Sequence, residues 1–229
     1  MYIHKAISKG SKILRDSSIL TANLDSEILM AKALKKEREY ILLNPLHKIS
    51  NQDLNFYKKL INERSHKKPV AYLINKKFFW KSEFYINSDT LIPRPETELI
   101  VENVLKLTKQ KNKLHVLDIG IGSGCVLLSI LKDRKNFYGT GIDVSKECLN
   151  ISKINALGLN LSKRLKLFKS NIDKFLIGKY DLIVSNPPYI NKRDLKYLER
   201  DVADFEPRLA LDGGLDGLSE IRKVIKKSS

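Results

Sequence analysis

From residue 2 to about residue 64 the apolar positions recur three and four apart. Ile3, Ala6, Ile7, Ile13 and Leu14 make one stripe, and Leu24, Ile28, Ala31 and Leu34 make a second, the spacing of amphipathic helices. Asn23 is placed to cap the second helix, and Ser50 with Asp53 to cap a later one carrying Leu54, Tyr57, Leu60 and Ile61. The pattern predicts a small helical bundle over residues 1–68. Past Pro69 the period changes. Val70 to Ile74, then Phe78, Phe79 and Trp80, followed by an apolar run at 84–86, predict a linker with a β-hairpin over residues 69–92. Pro93, Arg94 and Pro95 then favour a stiff extended path, and Glu96 or Thr97 opens a helix that runs through 107.

In residues 93–229 short apolar runs alternate with helical patterns. Residues 116–119, 138–142, 165–168 and 182–184 read as strands, with helices over 126–131 and 149–157 between them. Strand, helix, strand in that rhythm predicts right-handed crossovers and an α/β domain built on a parallel sheet. Ligands of such sheets bind beyond the carboxyl ends of the strands, where Gly120, Asp143, Asn171 and Asn186 all fall. The run at 182–184 is apolar on both faces, and only a helical stretch at 218–227 follows the last motifs, so this strand is expected at a sheet edge.

A chain of 229 residues allows one or two domains with a sizeable core. No stretch is long and apolar enough for a membrane span, and the start lacks a secretory signal, so a cytoplasmic monomer with no membrane partner is expected. The formal charge of +16 suits contact with nucleic acid or with an acidic protein. Its lysines are spread rather than clustered, and a compositional bias toward Lys, Asn and Ile explains the charge at least as well as a functional basic face, so a nucleic-acid partner is not expected. Cys125 and Cys148 are too few for a disulfide framework or a zinc site and read as structural thiols; His4 and His47 read as surface or packing residues.

Two stretches carry candidate chemistry. Gly120, Ile121, Gly122, Ser123 and Gly124 follow the first strand of the sheet, and glycines at alternate positions let the backbone turn tightly and approach a ligand. No Lys-Ser/Thr pair follows, and Cys125 stands where a dinucleotide fingerprint has its last glycine, so the loop suits a nucleoside without pyrophosphate. Asp143, 19 residues past Gly124, is placed to take ribose hydroxyls, with a helix cap as the alternative. Asn171 and Ile172 could line a base or merely start a helix. The second stretch is Asn186, Pro187, Pro188 and Tyr189. Neither proline has an N–H, so the carbonyls of Asn186 and Pro187 can face a notch that only accepts hydrogen bonds. The Asn186 side-chain oxygen adds an acceptor and Tyr189 a flat ring, a setting for a planar NH2 group.

The tetrapeptide resembles the Asn-Pro-Pro-Tyr motif of methyltransferases that modify exocyclic or amide nitrogens. With the glycine loop and Asp143 the chain is similar to the seven-strand, Rossmann-like class I enzymes that use S-adenosyl-L-methionine. Pro69-Val70-Ala71-Tyr72, the segment from Ile92 to Glu98, Phe205-Glu206-Pro207 and the stretch from Asp212 to Gly217 narrow the resemblance to the release factor glutamine methyltransferases. It implies methyl transfer from S-adenosyl-L-methionine to the glutamine side chain of the Gly-Gly-Gln motif in peptide chain release factors. Asn186 and Pro187 would accept the amide protons, Pro188 and Tyr189 would complete the substrate notch, and Gly120 to Gly124, Asp143, Ile172 and Asn186 would hold the cofactor. The helical bundle would recognise the substrate. Asn75 and Lys81 stand where the family has glycine, Ile121 replaces a small polar residue, and the family's sheet continues through further strands. Two other readings stay open: an amino-methyltransferase of DNA or RNA, and a non-catalytic remnant that serves as a protein-binding module.

Overall fold

The structure, a computed structural model, describes residues 1–175 and 178–228. The chain divides into two compact units, Met1–Asn75 with Arg200–Phe205, and Lys76–Glu199 with Glu206–Ser229.

The first unit holds α1 (Ile3–Asp16), α2 (Ala22–Leu34), α3 (Arg38–Leu43), α4 (Asn51–Ser65) and α5 (Val70–Ile74). Helix α2 is central and packs on the other four, so it buries residues all round: Ala22, Leu29, Met30 and Ala33, but also Asp25, Ser26 and Glu27. That corrects the expected stripe, since Leu24 is 41% exposed. A helix surrounded by neighbours has no single apolar face to read. The expected cap at Asn23 is also corrected. The helix starts after Thr21, and Asn23 lies inside it, accepting from the Ser11 hydroxyl at 3.2 Å and donating to Glu27 at 2.8 Å. Ser50 does cap α4, its hydroxyl oxygen accepting the Asp53 N–H at 3.1 Å. Arg64 of α4 is buried between Asp25 at 2.7 Å and Asp201 at 2.8 Å, the latter on the short helix Arg200–Ala203. Asn75 ends α5 with φ +58°, a left-handed conformation that Asn tolerates in place of glycine.

The second unit opens with the antiparallel hairpin β1 (Lys76–Phe79) and β2 (Ser82–Tyr85). The left-handed residue of its turn is Trp80 at φ +54°, not Lys81. Trp80 is held at both ends: its backbone N–H donates to Glu98 at 2.7 Å, and its indole N–H to Asp133 at 3.0 Å. A 3₁₀ turn at Pro95–Thr97 leads into α6 (Glu98–Leu107), and then come β3 (His115–Ile119), α7 (Cys125–Asp133), β4 (Tyr138–Asp143), α8 (Lys146–Gly158), β5 (Leu165–Lys169), β6 (Leu182–Ser185) and a last helix, Ser219–Ser228. The four expected strands and both crossover helices are present.

All four strands are parallel in the order β5-β4-β3-β6. Succession runs outward from β3 to β5 on one side, then returns to the other side of β3 for β6. The crevice beyond β3 and β6 is therefore a topological switch point, where ligands of open α/β sheets bind. Val116 of β3, Leu127, Leu128 and Ile130 of α7, Val101 of α6 and Phe79 and Phe84 of the hairpin share one core. Glycines on β4 make room for it. A Cβ at Gly139 would lie 2.9 Å from Leu127, and one at Gly141 would lie 2.2 Å from the side chain of Ile121. Ile121 thus turns inward from the glycine loop and is buried against β4.

Candidate active site

A cavity of 580 Å³ opens at the carboxyl ends of the strands, within the roughly 300–1,000 Å³ of small-molecule sites. Its lining comes from every loop that leaves the sheet on this side. Gly120 and Gly122 follow β3, Asp143 ends β4, Asn171 and Ile172 follow β5, and Asn186, Pro187 and Pro188 follow β6. Since β5 and β6 are the outer strands, the cavity runs across β3 and β4 from Ile172 to the Asn-Pro-Pro corner.

The glycine loop has the backbone its sequence demands. Gly120, Gly122 and Gly124 have φ of +76°, +56° and +81°. Side chains are disfavoured there, and nothing lies within 4 Å of a Cβ built on Gly120, which leaves open room for a ligand. Asp143 holds this loop: its carboxylate accepts the Gly122 N–H at 2.9 Å and the Ser145 N–H at 2.9 Å. The cap of α8 is Ser145, whose hydroxyl oxygen accepts the Cys148 N–H at 3.1 Å. Burial pushes the Asp143 carboxyl up, against the pull of those backbone donors. Asn171 uses its side-chain oxygen to accept the Lys174 N–H at 2.8 Å, so it organises its turn while lining the cavity.

Asp118, on β3 two residues before the glycine loop, is marked by no pattern in the sequence. It is buried, lines the cavity and is pushed up to about 7, first by burial and then by the charge of Asp143. Cys125 and Cys148 also line the cavity, and burial pushes both thiols up to about 12, which keeps them neutral and unreactive.

At the β6 end, the Ser185 hydroxyl donates to the Ile119 carbonyl at 2.7 Å, tying the start of the corner to the start of the glycine loop. Asn186 directs its side-chain NH2 toward the Thr97 hydroxyl at 3.5 Å. Tyr189 is 62% exposed and stands outside the lining of the cavity, as does Gly124. The backbone after Tyr189 is propped by a glycine-rich segment: the Gly213 N–H donates to the Ile190 carbonyl at 2.8 Å and the Lys192 N–H to that of Gly214 at 2.9 Å. A Cβ on Gly217 would fall 2.5 Å from the Tyr189 carbonyl oxygen, so the approach requires glycine.

Glu206 joins two motifs that lie 112 residues apart. Buried, it accepts the Ile92 N–H at 3.1 Å and pairs with the Arg94 guanidinium, while Arg94 also donates to the Ile92 carbonyl at 3.1 Å. The proline-bounded segment is thereby fixed beside the corner, with Pro93, Arg94 and Thr97 in the wall of the cavity. Charge and spacing gave no means of pairing these residues.

A parallel sheet with this switch point, a glycine cradle after β3 and an acid at the end of β4 defines a class I methyltransferase that uses S-adenosyl-L-methionine. The fold resembles that of the hMettl16 catalytic domain, solved in complex with the MAT2A 3'UTR hairpin 6, with a TM-score of 0.53 and 21% identity over 63% of this chain and 55% of that one. Residues 5–74 match the model of the PrmC N-terminal domain, and residues 95–215 match that of the methyltransferase small domain. The chain is 37% identical to the release factor glutamine methyltransferase of Caulobacter vibrioides over 96% of its length and 76% of the relative's. Against the protein of the same name from Clostridium acetobutylicum it is also 37% identical, over 100% of this chain and 81% of the relative. It belongs to the release factor glutamine methyltransferase family.

Proposed function

We propose that this chain transfers a methyl group from S-adenosyl-L-methionine to the side-chain nitrogen of the glutamine in the Gly-Gly-Gln motif of peptide chain release factors. The observation that carries the reading is the single cavity that joins the glycine cradle to the Asn-Pro-Pro corner. The residues fit the cofactor: Gly120 leaves open room, Asp143 presents a carboxylate at the end of β4, and Ile172 offers an apolar wall. Bound there, the cofactor supplies an electrophilic methyl group on a sulfonium.

The remaining work falls to the protein. Asn186 Oδ1 and the Pro187 carbonyl accept the two protons of the carboxamide and hold it flat, and Pro188 walls the notch. Tyr189, exposed in this structure, would pack the amide plane once substrate arrives. An amide nitrogen is a poor nucleophile, so alignment is the leading contribution, up to roughly 7–11 kcal/mol in well-oriented systems. The new N–C bond would replace the S–C bond, leaving a neutral thioether, and the methylated nitrogen would then pass its extra proton to water, so no strong base is required. The first unit, Met1–Asn75 with Arg200–Phe205, serves as the substrate-recognition domain in place of the expected 1–68, and the second as the methyltransferase domain; residues 69–92, expected as a linker, divide between them, with α5 in the first and the hairpin in the second. No helix among the described residues is long and apolar enough to cross a membrane.

The test is incubation with methyl-labelled S-adenosyl-L-methionine and a purified release factor, with the modified peptide located by mass spectrometry. Label is expected on the glutamine of the Gly-Gly-Gln peptide, and Asn186→Ala is expected to lower turnover about 100-fold. Label in added nucleic acid and none in the release factor would overturn the reading.

A further inference from the structure

We propose that Thr97 is a positioning residue that holds Asn186 in the rotamer presenting its oxygen to the substrate. The inference rests on the function proposed above and extends it to a residue outside the Asn-Pro-Pro-Tyr corner.

Thr97 immediately precedes α6 and ends the 3₁₀ turn with helical backbone, a conformation that leaves its hydroxyl free of the usual helix-cap bond. Its hydroxyl faces the Asn186 NH2 instead, at 3.5 Å across 89 residues of sequence, and it is the partner found for that side chain among the described residues. The segment that delivers it is immobilised: Pro93 and Pro95 restrict the backbone, and Glu206 holds both the Ile92 N–H and Arg94.

A side-chain amide carries an acceptor at one end and two donors at the other, nearly equal in size. An incoming carboxamide NH2 needs the acceptor end, which leaves the Asn186 NH2 turned toward the cavity wall. A donor left there without a partner would oppose the productive rotamer. The Thr97 oxygen accepts from it and removes that cost. At 3.5 Å the contact is long, as hydrogen bonds of catalytic groups commonly are before substrate binds.

The experiment compares Thr97→Val and Thr97→Ser with the unaltered protein in single-turnover methylation of a release factor, with cofactor affinity measured by calorimetry. Valine keeps the shape and removes the hydroxyl, and serine restores it. Thr97→Val is expected to lower the rate of methyl transfer about 10- to 100-fold, while cofactor affinity changes less than about threefold and Thr97→Ser recovers most of the rate. Equal rates for Thr97→Val and the unaltered protein would overturn the proposal, as would equal losses in both variants, which would assign Thr97 a packing role. If Thr97→Val unfolds, the Asn186 side-chain amide decides in Thr97→Ser and the unaltered protein: its ¹H and ¹⁵N resonances are expected to match in the two, and a free-amide position in the unaltered protein would refute the contact. No methylation by the unaltered protein would instead refute the function on which the inference rests.

Discussion

At the scale of single residues, Asp118 is an acid that burial moves into the working range. It releases its proton near pH 3.8 in an unfolded chain and near 7 in the fold, where burial and Asp143 disfavour its charge. Between those values the folded state binds more protons than the unfolded one, so stability falls as pH rises from about 4 to about 7 and is level above. The urea midpoint is therefore expected to be higher at pH 5 than at pH 8, and Asp118→Asn is expected to reduce the difference. Ligand binding should show the opposite trend. A cationic ligand in the cavity favours the ionised carboxylate, so calorimetry in buffers of different ionisation enthalpy should find proton release when S-adenosyl-L-methionine binds below pH 7.

At the scale of elements, the first unit is built around a central helix with a charged interior. Arg64 and Asp25 are both buried, and removing one partner strands the other's charge. Asp25→Ala is expected to cost about 3 kcal/mol in chemical denaturation, whereas Asp201→Ala, at the more exposed end of the network, should cost about 1 kcal/mol. This interior marks the boundary of what the sequence discloses. The strands were legible because 116–119, 138–142, 165–168 and 182–184 are short apolar runs between helices, and a parallel sheet buried on both faces leaves that trace. The face of α2 was not, because buried Asp25 and Glu27 look like solvent-facing charges until Arg64 and Arg38 are placed beside them. The glycine loop could be located from its spacing, and the Asn-Pro-Pro corner from its lack of donors. The pairing of Glu206 with Arg94 and the approach of Thr97 to Asn186 depend on where the chain returns, which no local pattern carries.

At the scale of the whole molecule, the lining of the cavity comes entirely from the second unit. Binding of S-adenosyl-L-methionine is expected to slow amide hydrogen exchange in the loops after β3, β4, β5 and β6 while leaving the exchange of α1 and α4 unchanged. Protection that appears first in the helices of residues 1–75 would contradict the placement of the cofactor. The strand order also has a kinetic consequence. Because Ile119 is paired with Ser185, the glycine loop and the Asn-Pro-Pro corner leave the sheet from adjacent strands, about 4.8 Å apart. The separation of these two cavity-lining loops is thus set by the backbone ladder itself. A core substitution beneath β3 or β6 that touches neither ligand could still slow the reaction, by shifting one rung against the other.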